Sequence, residues 1–458
     1  MIAGDRVSTG PLGARESALA APLAPDALER NFADIAPPLT ADAALLESSS
    51  CLFCYDAPCT IACPTHIDVP AFIKKINTGN LRGAARVILD ANPMGHSCAR
   101  ACPVEVLCEG ACVLNARDEE PIKIALLQRY ATDHVLDTGI TLFTAGPPNG
   151  KRVAIVGGGP AGLSCAQDLA RWGYTVTIFD AKPAPGGLNT YGIAEYKMRP
   201  PTALAEARMV LDLGVELRSG ITVGRDVPFA DLERDFDAVF VAVGLGATRR
   251  LGIPGEELVG VHEALGFIGH LKTHPYSETR VGRRVIVVGA GNTAIDAATQ
   301  AKRLGAERVT LVYRRGEAEM TAYHYEYELA KRDGCEFRFF TVPKRIVGAD
   351  RVTALECVRS ELGPPDADGR RRPMEVPGSE HLIECDMVLE ALGQEPLGQF
   401  ARAAGLATEN GKLVSTKPNV FVGGDCANGG AEIVNAAAEG KAAARQIDAF
   451  LRPSRSDT

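Results

Sequence analysis

The sequence predicts an α/β protein: two β-α-β domains behind a helical segment rich in cysteine. Three observations predict it. A strand, a glycine turn, a helix and a second strand occur twice, in KRVAIVGGGPAGLSCAQDLARWGYTVTIFD from Lys151 and RRVIVVGAGNTAIDAATQAKRLGAERVTLVYRR from Arg283. Eight of the 13 cysteines crowd between Cys51 and Cys112. The 458 residues include 47 glycines and are 46% hydrophobic, as befits a globular chain with many tight turns.

Residues 1–50, rich in Ala, Pro and small polar residues, read as an irregular arm with a short helix near Asp26–Asp34. Residues 51–140 read as a helical domain. In DVPAFIKKINTG, Asp68 caps a helix whose Val69, Phe72, Ile73 and Ile76 share one face, and Gly79 stops it. TAGPPNGKR, ending at Arg152, is a linker. The two β-α-β domains follow over 150–280 and 281–395. Residues 396–458 contain a strand, a loop and a long alanine-rich helix, NVFVGGDCANGGAEIVNAAAEGKAAARQIDAFL.

The net charge of −8 is spread along the chain without a basic block, which excludes a nucleic-acid partner. The opening residues lack a basic stretch followed by an apolar core, and no apolar run reaches the roughly 20 residues of a membrane span. A cytoplasmic, reducing setting is expected. There, dense cysteines signal metal or redox chemistry more than disulfides.

In the first unit Gly157, Gly159 and Gly162, with Pro160 and Ala161 between them, form G-x-G-x-x-G directly after a strand. The first glycine permits the turn, the second lets backbone approach a pyrophosphate, and the third allows close helix–strand packing. Asp180 ends the second strand where an acid grips ribose hydroxyls. The second unit has Gly289, Gly291 and Ala294, with Asn292 and Thr293 between them. Its second strand ends in Arg314 and Arg315 without an acid, which suits a 2′-phosphate or, equally, a solvated strand end.

Gly424-Asp425 in VFVGGDC, GGLNTYGI from Gly186, and VFVAVGLGAT make the chain resemble two-dinucleotide-binding-domain flavoprotein reductases. The resemblance implies two Rossmann-like domains. FAD lies in the first cradle, with Gly187 and Leu188 at its turn and Asp425 on the ribityl chain. Residues 150–280 and 396–458 are then two parts of the FAD domain, and 281–395 the NAD(P) domain. The helix beginning near Glu432 would point its positive end at the flavin ring. No late cysteine pair forms a redox dithiol; Cys165 and Cys426 read as packing residues. Electrons therefore need another exit.

The N-terminal thiols space as C-x₂-C-x₄-C-x₃-C-P and C-x₃-C-P-x₄-C-x₃-C. Cys63-Pro64 and Cys102-Pro103 match the Cys-Pro that ends ferredoxin-type runs. Zinc competes for such thiols, but only Cys51/Cys54 forms a C-x₂-C pair. The order of parts resembles the NAD(P)-binding small subunit of bacterial dihydropyrimidine dehydrogenase, and also the glutamate synthase small subunit. That resemblance implies one 4Fe-4S cluster on Cys51, Cys54, Cys59 and Cys112, and a second on Cys63, Cys102, Cys108 and Gln128; glutamine at this place is implied by the dihydropyrimidine dehydrogenase branch, whereas glutamate synthase relatives carry Glu. Cys98 stays open as a rival to Gln128, because thiolate binds iron better than an amide.

Tyr323 and Tyr327 share a helical face and read as packing residues, and His66 and His96 as loop residues near the thiols. No side chain is singled out as catalytic. The expectation is an electron-input subunit with FAD and two 4Fe-4S clusters, taking hydride from NAD(P)H, with NAD narrowly favoured. Its implied partner is an FMN- and iron–sulfur-containing subunit reducing uracil or thymine to the 5,6-dihydro product. The alternatives are a glutamate synthase small subunit or related NADPH–acceptor reductase, and a non-enzymatic zinc- and flavin-bearing assembly or sensor protein.

Overall fold

A computed structural model of the chain describes residues 19–365 and 371–452. The first 18 residues of the expected N-terminal arm lie outside the described residues. Compactness separates two units, Met1–Ala33 with Thr248–Gly393, and Asp34–Ala247 with Gln394–Thr458.

The chain opens with α1 (Pro25–Asn31), α2 (Ala41–Ser49), α3 (Pro58–Ile61), α4 (Val69–Asn77), α5 (Leu81–Ala91), α6 (Gly95–Ala101) and α7 (Ile124–Thr138). The arm is thus less irregular than expected, since α2 is a regular helix. Thr40 caps it, its hydroxyl accepting from Ala43 N at 3.2 Å. Asp68 caps α4 as the sequence predicts, accepting from Ala71 N at 3.0 Å, and Val69, Phe72, Ile73 and Ile76 are its buried face. Gly139, at φ 65°, ends α7.

A parallel sheet follows, from β1 (Arg152–Val156), α8 (Pro160–Arg171), β2 (Thr175–Asp180), α9 (Leu188–Tyr191), α10 (Pro200–Leu211), β3 (Glu216–Ser219), α11 (Phe229–Asp235) and β4 (Ala238–Val241). The other unit carries β5 (Val261–Glu263), α12 (Ala264–Thr273), β6 (Arg284–Val288), α13 (Asn292–Arg303), β7 (Arg308–Val312), α14 (His324–Arg332) and β8 (Glu336–Arg338). An antiparallel excursion, β9 (Thr341–Gly348), β10 (Val352–Pro365), β11 (Arg371–Glu375) and β12 (His381–Glu384), precedes β13 (Met387–Glu390). The chain then returns to the first sheet through α15 (Gly398–Ala404), β14 (Ala407–Glu409), β15 (Lys412–Val414), β16 (Val420–Val422), α16 (Asp425–Asn428) and α17 (Ile433–Leu451).

The two principal sheets have orders β16-β4-β1-β2-β3 and β5-β13-β6-β7-β8, all parallel. Their inner strands, β1, β2 and β4 in one and β6, β7 and β13 in the other, are buried on both faces, which is why they read as continuous apolar runs such as VAIV and VIVV. In the first sheet Val153 pairs with Val176 and Ile155 with Phe240. Val422 pairs with Val241, so the C-terminal segment supplies the edge strand. One hydrophobic core runs from Phe72, Ile88 and Leu127 of the helical segment to Ile155 and Leu163 beneath that sheet. Among the described residues no helix is long and apolar enough to cross a membrane.

Candidate cofactor-binding site

The cysteine loops hold their shape through unusual backbone. Phe53, Ala57 and His66 have φ of 52°, 36° and 53°, left-handed values that non-glycine residues adopt at a cost. Phe53 and Ala57 lie among Cys51, Cys54 and Cys59, and His66 follows Cys63. Cys51, Cys54, Cys59 and Cys112 line one cavity, walled by Val69, Ile73, Leu114 and Ile122. A second gathering surrounds Cys102. Its thiol is in hydrogen-bond reach of Cys98 and is raised by that contact, by burial and by the neighbouring Cys98, Cys108 and Cys63. Burial also pushes the Cys59 thiol up to about 11. All the cysteines are free.

This donor set fits iron–sulfur clusters. Tetrahedral zinc gathers four sulfurs about 2.3 Å from one ion, within about 4 Å of one another. Here Cys51, Cys54, Cys59 and Cys112 stand around the wall of a cavity. Thiols spread around a cavity suit a cluster, in which each ligand binds a different iron.

Gln128 is buried on α7, its amide Nε2 donating to Gly95 O at 2.6 Å. Cys98 is buried on α6 and accepts from Asn92 Nδ2 at 3.2 Å. His96 is not a loop residue: it lies buried in α6, Nδ1 3.3 Å from the Thr132 hydroxyl and 3.1 Å from Asp133. Sequence reasoning missed Glu206 of α10. Its carboxylate accepts from His96 N at 2.8 Å, from Ser97 N at 3.2 Å and from the Ser97 hydroxyl, capping α6. Glu109 was also missed; it accepts from Ala125 N at 2.9 Å at the start of α7.

In the same unit the first cradle is sterically closed to side chains where it turns. Gly157 has φ 108°, and a Cβ there would lie 2.2 Å from Ala242 O. A Cβ on Gly162 would lie 2.0 Å from Gly157 O. Gly159, by contrast, faces only Gly187 Cα at 3.8 Å, leaving the approach to the N-terminus of α8 at Pro160 and Ala161 open. Asp180 is buried and fixed by two backbone donors, Gly158 N at 2.6 Å and Lys182 N at 2.7 Å. Gly187, at φ 55°, precedes the exposed Leu188. Asn189 Oδ1, next along, is buried without a donor, a vacancy that a flavin nucleotide's polar groups can fill.

Gly424 N donates to Glu439 Oε2 at 2.6 Å, and Asp425 Oδ1 accepts from Ala431 N at 3.2 Å. Burial raises the Asp425 carboxyl. Helix α17, preceded by Glu432, packs closely on α8; a Cβ on Gly440 would lie 2.1 Å from Ala161 O.

The second cradle belongs to the other unit. Gly289 has φ 137°, and a Cβ there would lie 2.3 Å from Ala391 O. Gly291 meets only the Thr321 hydroxyl at 3.2 Å; Asn292 Oδ1 accepts from Tyr323 N at 3.1 Å. Thr293 follows on α13, and Ala294 is fully buried. Beyond β7, Arg314 is exposed, and Arg315 Nε is buried without a partner. Tyr323 and Tyr327 serve structure: Tyr323 precedes α14, and the Tyr327 hydroxyl bonds Glu317 at 3.0 Å.

Two nucleotide cradles behind clustered thiols define a flavoprotein oxidoreductase with an iron–sulfur module. Comparison with known proteins agrees. Residues 28–140 match the family model for dihydropyrimidine dehydrogenase domain II, 4Fe-4S cluster, and residues 151–440 that for pyridine nucleotide-disulphide oxidoreductase. The chain is 35% identical over 446 residues to the glutamate synthase [NADPH] small chain of Escherichia coli K12, covering 92% of this chain and 94% of that one. It is 36% identical to the NADP(+)-dependent formate dehydrogenase subunit beta of Moorella thermoacetica, covering 86% and 60%. The structure of FprA from Mycobacterium tuberculosis in complex with NADPH shares the fold, with TM-score 0.57, 21% identity and coverage of 67% and 85%.

The chain belongs to the pyridine nucleotide-disulphide oxidoreductase family, in the group of the glutamate synthase small chains. It is a 4Fe-4S flavoprotein that binds FAD and NAD(P)H. The zinc-bearing assembly or sensor reading is thereby set aside.

Proposed function

We propose that this chain is the NADPH-dependent electron-input subunit of a larger oxidoreductase, of the glutamate synthase small-chain type. One observation carries this reading: the clustered thiols and the flavin cradle share a single hydrophobic core. The same unit thus offers a flavin site and an exit for its electrons. Relatives named as a small chain and as a subunit beta support the subunit role. The NAD preference gives way to NADPH, supported by Arg314 and Arg315 at a strand end without an acid and by NADPH-linked relatives.

When bound, FAD converts a hydride into single electrons, and the clusters conduct them. The chain's residues hold these groups in place. Gly157, Gly159 and Gly162 admit the pyrophosphate, Asp180 takes ribose hydroxyls, and Asp425 takes the ribityl chain. Cys51, Cys54, Cys59 and Cys112 hold one cluster; Cys63, Cys102 and Cys108 hold three corners of a second. Gln128 fills its fourth corner: Nε2 is tied to Gly95, which leaves the carbonyl oxygen for iron. Cys98 is the competitor. In the Gln128→Ala variant the reduced-state EPR signal of one cluster should change, whereas Cys98→Ser should leave both signals intact; the reverse pattern gives the position to Cys98.

A second reading, pyrimidine reduction with an FMN- and iron–sulfur-containing partner, is favoured by Gln128 and by the family description of residues 28–140. Anaerobic purification of the native complex, followed by turnover with glutamine or with uracil, separates the two. The isolated chain should oxidise NADPH at least about tenfold more efficiently than NADH, a difference of about 1.4 kcal/mol. It should reduce ferricyanide and leave uracil untouched. Bound FAD without any cluster signal after chemical reduction would sink the proposal.

A further inference from the structure

Beside the arginine pair, the antiparallel excursion and the end of β8 frame an open cavity of about 990 Å³. Arg338, Phe340, Arg359 and Ser360 stand on its wall. The wall is stitched to the end of β7. Tyr313 N donates to Arg338 O at 3.0 Å, Phe340 N to Arg315 O at 3.0 Å, and the Ser360 hydroxyl to Arg314 O at 2.8 Å. Arg338 ends β8 directly opposite Val312, the last residue of β7.

The wall mixes charges: Glu361, Glu380 and Arg371 line it beside Arg338 and Arg359, and Arg371 donates to the carbonyls of Gly363 and Leu362. Elsewhere in this unit surface arginines pair with acids, as in Arg308–Glu336, Arg283–Glu307 and Arg345–Glu356. Among the described residues no hydrogen bond or ion pair engages the guanidinium groups of Arg338 and Arg359, and Arg315 Nε is buried without a partner. Phe340 adds an apolar wall held under strain. Its φ is 51°, a left-handed value that an aromatic residue adopts only when its surroundings enforce it, and the residue is 40% exposed. The ring lies over Gly316, where a Cβ would come within 2.7 Å of Phe340 Cζ.

In a Rossmann-type sheet the adenosine half of a dinucleotide lies over the first βαβ, here β6-α13-β7, with its 2′ position toward the end of the second strand. The end of that strand is bonded to the cavity's wall through the carbonyls of Arg314 and Arg315. We propose that the cavity receives the 2′-phosphoadenosine end of NADPH. Arg338 and Arg359 extend the phosphate site beyond Arg314 and Arg315, and Phe340 offers its face to the adenine. This rests on the NADPH reading above. It makes the excursion β9–β12 an element of cofactor selectivity, since Phe340 leads into it and Arg359 and Ser360 lie on β10.

The test is calorimetric titration of the flavin-loaded chain with 2′,5′-ADP and with 5′-ADP. In the Arg338→Gln/Arg359→Gln variant the affinity for 2′,5′-ADP should fall at least about tenfold, with 5′-ADP changing less than about twofold. Phe340→Ala should weaken both probes by a similar factor. Unchanged flavin content and visible spectrum establish that each variant is folded. If the unaltered chain separates the two probes and the double variant separates them equally well, the cavity has no part in phosphate binding and the NADPH reading stands. If the unaltered chain binds both probes alike, the NADPH reading itself fails.

Discussion

Gly162 illustrates the latitude of single positions in the flavin cradle. A Cβ placed 2.0 Å from Gly157 O has a backbone carbonyl in its way, not a side chain that can swing aside. Gly162→Ala should therefore displace α8 from β1, at a cost of about 1–3 kcal/mol, and the purified protein should retain roughly a tenth or less of its flavin by absorbance ratio. Such positions are legible in a sequence because a glycine's freedom, like the Asp68 cap, acts over a few residues. Glu206 was not legible. It meets Ser97 across 109 positions, and in ALAEARMV it looks like any solvated helix acid. Gln128 was legible only by resemblance.

At the scale of elements, Glu206 makes α6, the helix bearing Cys98, dependent on α10. Burial raises its carboxyl from 4.5 to about 7, against the lowering effect of its donors from Ser97 and His96. The native state therefore keeps a proton that the unfolded chain releases above about pH 4.5. The stability linked to that proton is present below pH 4.5 and is lost as pH rises through about 7. Glu206→Gln should flatten this decline, measured as a smaller drop in denaturation midpoint between pH 5.5 and 8.5. A steeper drop in the variant would contradict the assignment. The helices and parallel strands were readable from periodicity, but α2 was hidden in a run of small residues, ADAALLESS, with little apolar face to mark it. The excursion β9–β12 was hidden too, because its strands are half exposed and carry charges, as in RVTALECVRSELG.

Across the whole molecule the cysteines fall into two populations. Cys165, Cys335, Cys357, Cys385 and Cys426 are all buried, and burial is the first cause raising each of their thiols, Cys335, Cys357 and Cys385 to about 12. They should stay silent to a thiol reagent until the chain unfolds. The N-terminal thiols should be masked by iron in the loaded protein and become titratable once a chelator removes it with oxygen excluded. Five further thiols should then appear only in denaturant. A disulfide framework would instead leave the iron-free protein without the early group, and core cysteines reacting in the native state would contradict their burial.

The returning segment has a temporal consequence. β16 and α17 complete a sheet begun at Arg152, yet they are translated only after the nicotinamide unit between them has emerged. A nascent chain can shape its nicotinamide unit on the ribosome, but its flavin pocket has no last strand until Val420–Val422 has been made. Loading with FAD therefore follows the making of β16, and a chain that stops before Val420 should carry no bound flavin.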